Sequence, residues 1–391
     1  MNNKPVHIVF TTINYPSVLE DIYDNIVKFN HLSEVKIWVV GDRKTPQTSA
    51  NLAETLQTRG LEVIYLDIAN QDAWGKRCID FYNRIPYDNE TRRNIGYLHA
   101  LEDNCETLIS IDDDNFPIDD DLIGFHQNTG KKWNGDLISE ESGFHNICEY
   151  IDFEPDRKVF PRGYPFRLRG LENGNSRIPP QKELKIGVTA GLWLSDPDVD
   201  ATTWLNGKIT GKAYRGENIQ VLAPSTWTPV NTQNTSVTRE LIPAYLCIPM
   251  GWKVPGGTIQ RYGDIWGGYF LQALIKGSKF CIAFGRPIVE HRRNPHDYVD
   301  DLRFEYWGMI LTDWLVEKLR SVFQPQSSKI LERIEELAGF ITDFAVPELP
   351  PWCPTEVKGF LDSTAENLLT WAGACRLLDS KGTFSINLSI E

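Results

Sequence analysis

The sequence predicts an α/β fold, in which a mostly parallel, Rossmann-like β-sheet is flanked by helices and followed by a helical C-terminal region. Two observations lead to this prediction. Short runs of β-branched and apolar residues alternate with helical segments over about the first 110 residues, and such alternation is typical of a parallel sheet with helices packed on it. Beyond about residue 305, the spacing of apolar residues is helical.

The predicted strands and helices follow one another regularly in the first part of the chain. Strands are predicted at residues 6–13, 36–42, 61–68 and 107–111, and helices at residues 17–30, 49–59 and 91–103. In parallel sheets of this kind, ligands bind beyond the carboxyl ends of the strands. Asp42 and the run Asp112, Asp113 and Asp114 fall at such ends. We therefore expect the functional site at this edge of the sheet.

The middle and the end of the chain have other patterns. Residues 125–260 are rich in Gly, Pro, Asn and Thr and only weakly periodic, and we expect residues 213–238 to form a long loop or irregular insertion. Helical segments follow, interrupted by a proline-rich stretch at 346–354. The predicted division is an α/β domain at residues 1–305 and a helical region packed on it at residues 306–391.

Composition restricts the classes of partner and compartment. The formal net charge is −13, which disfavours general nucleic-acid binding, because nucleic-acid binders are usually basic. The seven cysteines are scattered, without a CxxC pair, so we expect neither a disulfide framework nor a cysteine zinc site. The N-terminal apolar run is too short for a signal peptide, and no run approaches the roughly 20 residues of a membrane helix. A cytoplasmic protein without a membrane span is expected.

The stretch LISIDDDNFP, residues 108–117, is the most informative local feature. Asp112, Asp113 and Asp114 directly follow an apolar strand, where adjacent carboxylates repel one another. A bound Mg²⁺ or Mn²⁺ would remove that repulsion, because both ions prefer oxygen ligands and leave coordination positions for phosphates. The alternative is a solvated acidic turn, continued by the acidic residues 119–121. We favour the metal site.

Arginines and carboxylates recur in three later stretches. FPRGYPFRLRG, residues 160–170, places Arg162 and Arg169 beside aromatic residues. Guanidinium groups match phosphate oxygens, although a surface loop with stacked arginines would look the same. Asp198 and Asp264 could stabilise a positively charged sugar intermediate. His291 ends a predicted strand, and it is a weaker candidate for the metal.

Six motifs in this order resemble one family, the reversibly glycosylated polypeptides of plants, which are UDP-arabinopyranose mutases. They are RNIGY, IDDDNF, RGYPFRLR, GLWLSDPDVDA, RYGDIWGGY and HRRNP, and the resemblance runs from about residue 6 to about residue 315. It implies a GT-A-type fold, with residues 1–305 as the catalytic domain. It also implies binding of a UDP-sugar through a divalent metal, interconversion of pyranose and furanose forms, and glycosylation of an arginine.

The resemblance assigns roles to individual residues. Asp112, Asp113 and Asp114 fall on the metal motif, Arg162 on the arginine that carries the sugar, and Arg169 on the second arginine of that stretch. Asp42 matches an acidic position near the base, although a turn aspartate after glycine is an equal alternative. The complete nucleotide-binding set that we predict is Thr11, Asn14, Asp42 and Arg93.

Two departures from the family pattern decide between reactions. Gly263 replaces the first of two adjacent aspartates in the RYDDMW-like motif, and residues 206–238 match the family poorly. Moreover, a protonated guanidinium has no free lone pair with which to attack a sugar. We therefore predict glycosyl transfer to a separate acceptor. The alternatives are a UDP-sugar mutase and a catalytically silent subunit that binds a nucleotide-sugar within a hetero-complex. The sequence does not decide between a homo-oligomer and a hetero-oligomer.

Overall fold

The structure is a computed structural model that describes residues 4–171, 174–379, 381–385 and 388. The strands are β1 Val6–Thr12, β2 Val35–Gly41, β3 Glu62–Leu66, β4 Thr107–Ile111, β5 Asn115–Pro117, β6 Lys132–Trp133, β7 Leu137–Glu140, β8 Ile151–Glu154, β9 Asn175–Ile178, β10 Leu184–Ser195, β11 Thr210–Tyr214, β12 Ile219–Val221, β13 Asn234–Thr238, β14 Trp252–Val254, β15 Gly257–Ile259 and β16 Phe280–His291. The helices are α1 Val18–Lys28, α2 Thr48–Thr58, α3 Ile68–Gly75, α4 Ile79–Tyr82, α5 Arg93–Glu102, α6 Leu122–His126, α7 Ala201–Leu205, α8 Gly263–Leu274, α9 Tyr298–Ser321, α10 Ile330–Phe340 and α11 Thr355–Leu378.

The main sheet has the central strand order β12-β16-β10-β13-β4-β1-β2-β3. Strands β4, β1, β2 and β3 are mutually parallel, and β10 is parallel to β16. Strand β13 runs antiparallel to both β4 and β10, and β12 runs antiparallel to β16. Parallel pairs therefore predominate along the central path. The predicted α/β class with a mostly parallel sheet is confirmed.

Helices pack against the sheet and against one another. Helix α5 contacts β1 and β2, and α11 in turn packs on α5 and α10. Trp371 of α11 is fully buried and donates a hydrogen bond from its indole to the carbonyl of Pro243. The predicted helical C-terminal region is thus present and is part of the same core. It begins with α9 at Tyr298, so the predicted division at residue 305 falls inside this helix.

The stretch 213–238 is not the long loop that the sequence indicated. It supplies β12 and, at its end, β13, whose five residues are all buried between β4 and β10. This strand, NTSVT, is polar, and two of its polar side chains, Asn234 and Ser236, are paired inside the protein. Asn234 and Ser236 each lie 2.9 Å from a ring nitrogen of His126. Since buried polar groups are tolerated when they are hydrogen-bonded, the strand is stable although its composition is typical of a loop.

The sheet brings the ends of β4, β10 and β16 together. Ser195 at the end of β10 pairs with His291 at the end of β16, and His291 also pairs with Asn115 of β5. The turn of residues 112–114 lies directly before β5, so the backbone places it beside His291. None of the helices in the described part of the chain is long and apolar enough to cross a membrane.

Candidate active site

A cavity of about 300 Å³ lies at the carboxyl ends of β1 and β4. Both strand ends were predicted to carry functional residues. The residues that line the cavity come from the loop after β1, the segment before α5, the turn after β4 and the loop after β16. They are Thr11, Thr12, Ile13, Asn14, Asp88, Asn89, Glu90, Arg93, Asp112, Asp113, Asp114 and Asn294.

The three aspartates after β4, which we call the acidic turn, are each held by a different element. Asp112 accepts a hydrogen bond of 2.7 Å from Nη2 of Arg93, which is buried at the start of α5. The carboxylate of Asp113 accepts one of 2.5 Å from the hydroxyl of Thr12. An oxygen of Asp114 lies 3.3 Å from Nε2 of His291. The acidic turn therefore has a defined orientation toward the cavity.

Negative charge is in excess at the acidic turn. The cavity is lined by five carboxylate side chains and by one guanidinium, that of Arg93. Burial raises the pKa of Asp112 to about 6, and the charge of Asp114 adds to the rise, while Arg93 opposes it. Burial and the charge of Asp114 also raise the pKa of Asp113. A negatively charged ligand would be repelled here unless a cation accompanied it.

Fit to a divalent cation can be judged from the donor set. Across residues 4–171, 174–379, 381–385 and 388, no three or more His, Cys, Asp or Glu side chains form a group that could hold a metal ion by themselves. Mg²⁺ and similar ions, however, are commonly held by one or two carboxylates, and phosphates and water complete the shell. Asp112 and Asp114 offer such carboxylates in a cavity with excess negative charge, so the residues fit a cation that arrives with a diphosphate.

The second group of charged residues is centred on Arg162, and we call it the Arg162 cluster. The Arg162 guanidinium donates two hydrogen bonds to Asp198, of 2.8 and 3.3 Å, and two to Asp264, of 2.7 and 3.1 Å. A fifth hydrogen bond runs from Nη1 to the carbonyl of Arg261. These five bonds match the five N–H groups of an arginine. The three side chains are only 12–14% exposed.

Electrostatics keeps the Arg162 cluster ionised. Burial alone would lower the pKa of Arg162, but Asp198 and Asp264 outweigh it and raise that pKa well above the usual value. Burial would likewise raise the pKa of Asp198, yet Arg162 and the amide of Asn231 lower it to about 2. The guanidinium is therefore protonated and fully hydrogen-bonded in this conformation.

Residues 231–233 connect the two groups. The side-chain amide of Asn231 donates a hydrogen bond of 2.7 Å to Asp198, and the carbonyl of Thr232 accepts one of 3.0 Å from Arg93. The carbonyl of Gln233 accepts a hydrogen bond of 2.9 Å from the backbone N–H of Asp112. One short segment thus contacts both sites. It lies just before β13, in the region that was expected to be an irregular insertion, so neither its position nor Asn231 was anticipated.

Arg169 lies away from the cavity. Its Nη2 is 2.6 Å from Asp200, which is fully buried and caps α7, and its guanidinium stacks 3.7 Å from the ring centre of Phe166. These contacts join the arginine-rich stretch to α7. Arg169 does not line the cavity of about 300 Å³.

Three of the predicted nucleotide-binding residues, Thr11, Asn14 and Arg93, line the cavity, and the side chain of Asn14 also contacts Asp113 of the acidic turn. Asn14 is exposed at the edge of the cavity. The hydroxyl of Thr11 donates a hydrogen bond of 3.0 Å to the carbonyl of Val40. Asp42 is buried and lines a neighbouring cavity of about 660 Å³ instead. It accepts hydrogen bonds from the backbone of Arg43 and of Asn89. Asp42 is therefore linked to the first cavity indirectly, through Asn89 and through the hydroxyl of Thr45, which donates to the carbonyl of Thr12.

Gly263 is explained by close packing. An ideal Cβ at this position would lie 2.3 Å from the carbonyl oxygen of Ile248. The backbone N–H of Ile248 also donates a hydrogen bond of 3.0 Å to the carbonyl of Gly263. In this backbone arrangement any side chain would collide with main-chain atoms. The neighbouring residue Asp264 keeps its place against Arg162. The departure from the family motif thus follows from contacts that are distant in sequence.

The family comparison covers most of the chain. The model of the family described as "Reversibly glycosylated polypeptide" matches residues 30–344. UDP-arabinopyranose mutase 3 of Arabidopsis thaliana is 26% identical over 68% of this chain and 68% of its own length. UDP-arabinopyranose mutase 1 of the same plant is 25% identical over 74% and 73%. The probable glycosyltransferase STELLO1, also from Arabidopsis thaliana, is 25% identical over 54% of this chain and 28% of its own length.

Two solved structures have a limited likeness to this chain. Staphylococcus aureus TarS in complex with UDP-GlcNAc has a TM-score of 0.40 at 10% identity, covering 95% of this chain and 90% of that one. Glucosyl-3-phosphoglycerate synthase from Mycobacterium tuberculosis, with Mn²⁺ and UDP-glucose, has a TM-score of 0.36 at 11% identity, covering 83% and 82%. TM-scores this low support no statement about this chain. The match of the family model to most of the sequence does: the chain belongs to the reversibly glycosylated polypeptide family.

Proposed function

We propose that this protein is a divalent-metal-dependent enzyme that acts on a UDP-sugar and breaks its anomeric bond. The observation that carries the proposal is the acid-lined cavity at the carboxyl ends of β1 and β4, with five carboxylates and one arginine. Family membership and the names of the curated relatives support the nucleotide-sugar as substrate. The base follows from those names, and the cavity itself supports only a diphosphate with a cation.

Each residue of the acidic turn has a role in this proposal. Asp112 and Asp114 hold Mg²⁺ or Mn²⁺, which supplies charge neutralisation of the departing diphosphate as a Lewis acid. Asp113 is tied to Thr12, so it orients the turn. Arg93 fixes Asp112 from the protein side and adds one positive charge near the phosphates. His291 holds Asp114 and is the weaker metal ligand.

The nucleotide is proposed to contact the edge of the cavity nearest β1. Thr11, Asn14 and Arg93 line this edge directly. Asp42 supports it through the backbone of Asn89. If Asp42 instead contacted the base, Asp42→Ala would change base preference. We expect Asp42→Ala to weaken UDP affinity without changing the preference for uracil over other bases, as measured by calorimetry with a set of nucleoside diphosphates.

Transfer of the sugar to a separate acceptor is the first proposal for the fate of the sugar. All five N–H groups of Arg162 are engaged, and the guanidinium is protonated. Such a group has no lone pair for attack on an anomeric carbon. Arg162 then acts as a fixed positive charge, while Asp198 and Asp264 place negative charge near the sugar.

A mutase is the second proposal, and a specific observation favours it. The curated relatives are named UDP-arabinopyranose mutases, and both carboxylates that flank Arg162 are present despite Gly263. In this reaction Arg162 would lose a proton to Asp198 or Asp264. One of its nitrogens would then bond to the anomeric carbon as the diphosphate leaves. The reverse step would return the sugar, after ring opening and closure, to the diphosphate.

One experiment separates these proposals. The protein is incubated with Mn²⁺ and a panel of nucleotide-sugars, and the small molecules and the intact protein mass are both analysed. Free UDP, with the protein mass unchanged, supports transfer. An isomeric UDP-sugar together with one added sugar mass that is absent from Arg162→Lys supports the mutase. No change with any donor would contradict the mutase. No release of UDP even when sugars and peptides are added as acceptors would contradict transfer and point to a non-catalytic binding subunit.

A further inference from the structure

Arg261 has an unusual backbone conformation next to Arg162. Its φ angle is +61°, in the left-handed region, which is sterically unfavourable for a non-glycine residue. In this conformation its carbonyl oxygen accepts the hydrogen bond from Nη1 of Arg162. Strained backbone of this kind persists only where the surrounding contacts enforce it, and it is concentrated at functional sites.

The side chain of Arg261 provides those contacts. Its Nε lies 3.1 Å from an oxygen of Glu305, and its Nη1 lies 3.2 Å from an oxygen of Asp301. Glu305 is fully buried and Asp301 nearly so, and both belong to α9. Asp301 is also paired with Arg293 and His296. Arg261 is therefore anchored to a rigid, charged segment of a 24-residue helix.

Glu305 extends this anchor to the other side of Arg162. Its second oxygen accepts a hydrogen bond of 2.8 Å from the backbone of Ala201, three residues after Asp198. Arg261 itself lies three residues before Asp264. A single buried carboxylate thus connects the two segments that carry the carboxylate partners of Arg162. The two segments are far apart in the sequence, and their shared contact with Glu305 sets the distance between them in the fold.

We infer that Arg261, anchored by Glu305 and Asp301, is a positioning residue that fixes the orientation of the Arg162 guanidinium in the reaction. The inference rests on the proposed function, in which Arg162 faces the sugar. Without the anchor, the backbone at residue 261 relaxes and its carbonyl leaves Nη1. The guanidinium then has one unpaired N–H and can rotate away from the position set by Asp198 and Asp264.

The first test is kinetic. Arg261→Gly removes the anchor, and glycine tolerates the left-handed backbone. Because buried Glu305 loses a partner, the variant is less stable, so kcat is measured under conditions in which circular dichroism shows it to be folded. We expect kcat to fall about 10- to 100-fold, because small misplacements of reacting groups have effects of this size, while KM changes less than about threefold. Arg261→Lys, which keeps the charge, should recover part of the loss. The control is Arg215→Gly, which removes an arginine paired with Asp152 and should leave kcat unchanged.

A double-mutant cycle tests whether Arg261 acts through Arg162. Arg162→Lys cannot reproduce the five hydrogen bonds, so Arg261→Gly should have little further effect on kcat in that background. Residues that act through one another show such non-additivity. If the two losses in kcat instead multiply, or if Arg261→Gly raises KM as much as it lowers kcat, the inference is wrong.

A measurement without turnover separates this inference from the proposed function. The Nε–H signal of Arg162 is identified in ¹⁵N-arginine-labelled protein by its loss in Arg162→Lys. In the wild type it should exchange slowly with solvent, and in Arg261→Gly it should exchange at least about tenfold faster, as hydrogen bonds that open locally lose protection. Equal exchange in both proteins would overturn the inference, even if no nucleotide-sugar is turned over.

Discussion

The acidic turn and the Arg162 cluster are built from the same residue types, but their charges are balanced differently. In the Arg162 cluster, one guanidinium and two carboxylates satisfy one another through four side-chain hydrogen bonds. Around the acidic turn, five carboxylates share a cavity with one arginine. The first arrangement is complete without a ligand, whereas the second leaves negative charge uncompensated. This difference supports our proposal that a cation and a diphosphate bind at the acidic turn, whereas the Arg162 cluster is already paired before any ligand binds.

The largest expected effect comes from breaking the Arg162 cluster. Arg162→Met keeps most of the side-chain volume but leaves Asp198 and Asp264 buried without their partner. Removal of one member of a buried ion pair typically destabilises a protein by about 3–5 kcal/mol. Urea unfolding should show a decrease of this size in the free energy of unfolding. Arg376→Met, which removes an exposed pair with Glu335, is the control and should have little effect. Equal stability of Arg162→Met and the wild type would show that Arg162 is not paired with two buried carboxylates as described.

A smaller effect, with a defined pH dependence, is expected for Asp198→Asn. The pKa of Asp198 is lowered to about 2 in the folded protein, below its unfolded value of about 3.9. Its ionised form therefore stabilises the fold above the unfolded pKa, and this stabilisation is lost as the pH falls through the folded pKa. The difference corresponds to about 2–3 kcal/mol. Wild type and Asp198→Asn should thus differ by a constant free energy of unfolding from pH 8 to pH 5. A difference that disappears within that range would contradict the assignment.

The third stability effect, with the lowest lower bound, concerns Gly263 and tests why the Arg162 cluster has only two carboxylates. Gly263→Ala would place a Cβ 2.3 Å from the carbonyl of Ile248, and such overpacking typically costs about 1–3 kcal/mol. Gly339→Ala in α10 meets no atom within 4 Å and should be neutral or stabilising by up to about 1 kcal/mol. Thermal unfolding of both variants measures the contrast. If Gly263→Ala were as stable as Gly339→Ala, an aspartate at 263 would be sterically allowed, and its absence would need another cause.

Local sequence patterns were sufficient for the first half of the sheet. Strands β1 to β4 and the acidic turn follow directly from apolar runs and the residues that end them, because parallel strands buried on both faces are continuously apolar. Arg162, by contrast, was identified by the resemblance to a family, since its partners Asp198 and Asp264 lie 36 and 102 residues away.

Other features could not be predicted because they depend on contacts that only the folded chain creates. Strand β13 is polar and is stabilised by His126 from another element. Arg261 is separated by 44 residues from Glu305, and no local signal marks either of them. The close approach of Ile248 to Gly263 is likewise a tertiary contact. In each case the decisive interaction is a hydrogen bond or a steric contact between distant segments.

The most direct test of the central claim is calorimetric binding of UDP in the presence and absence of Mn²⁺. The wild type should bind UDP with Mn²⁺ and lose at least about tenfold in affinity without it, since the acidic turn then repels the diphosphate. Asp114→Asn should bind weakly under both conditions, and Asp119→Asn, which alters an exposed carboxylate paired with Lys28, should behave as the wild type. Equal UDP affinity of the wild type and Asp114→Asn in Mn²⁺ would contradict the assignment of the acidic turn as the metal-dependent diphosphate site.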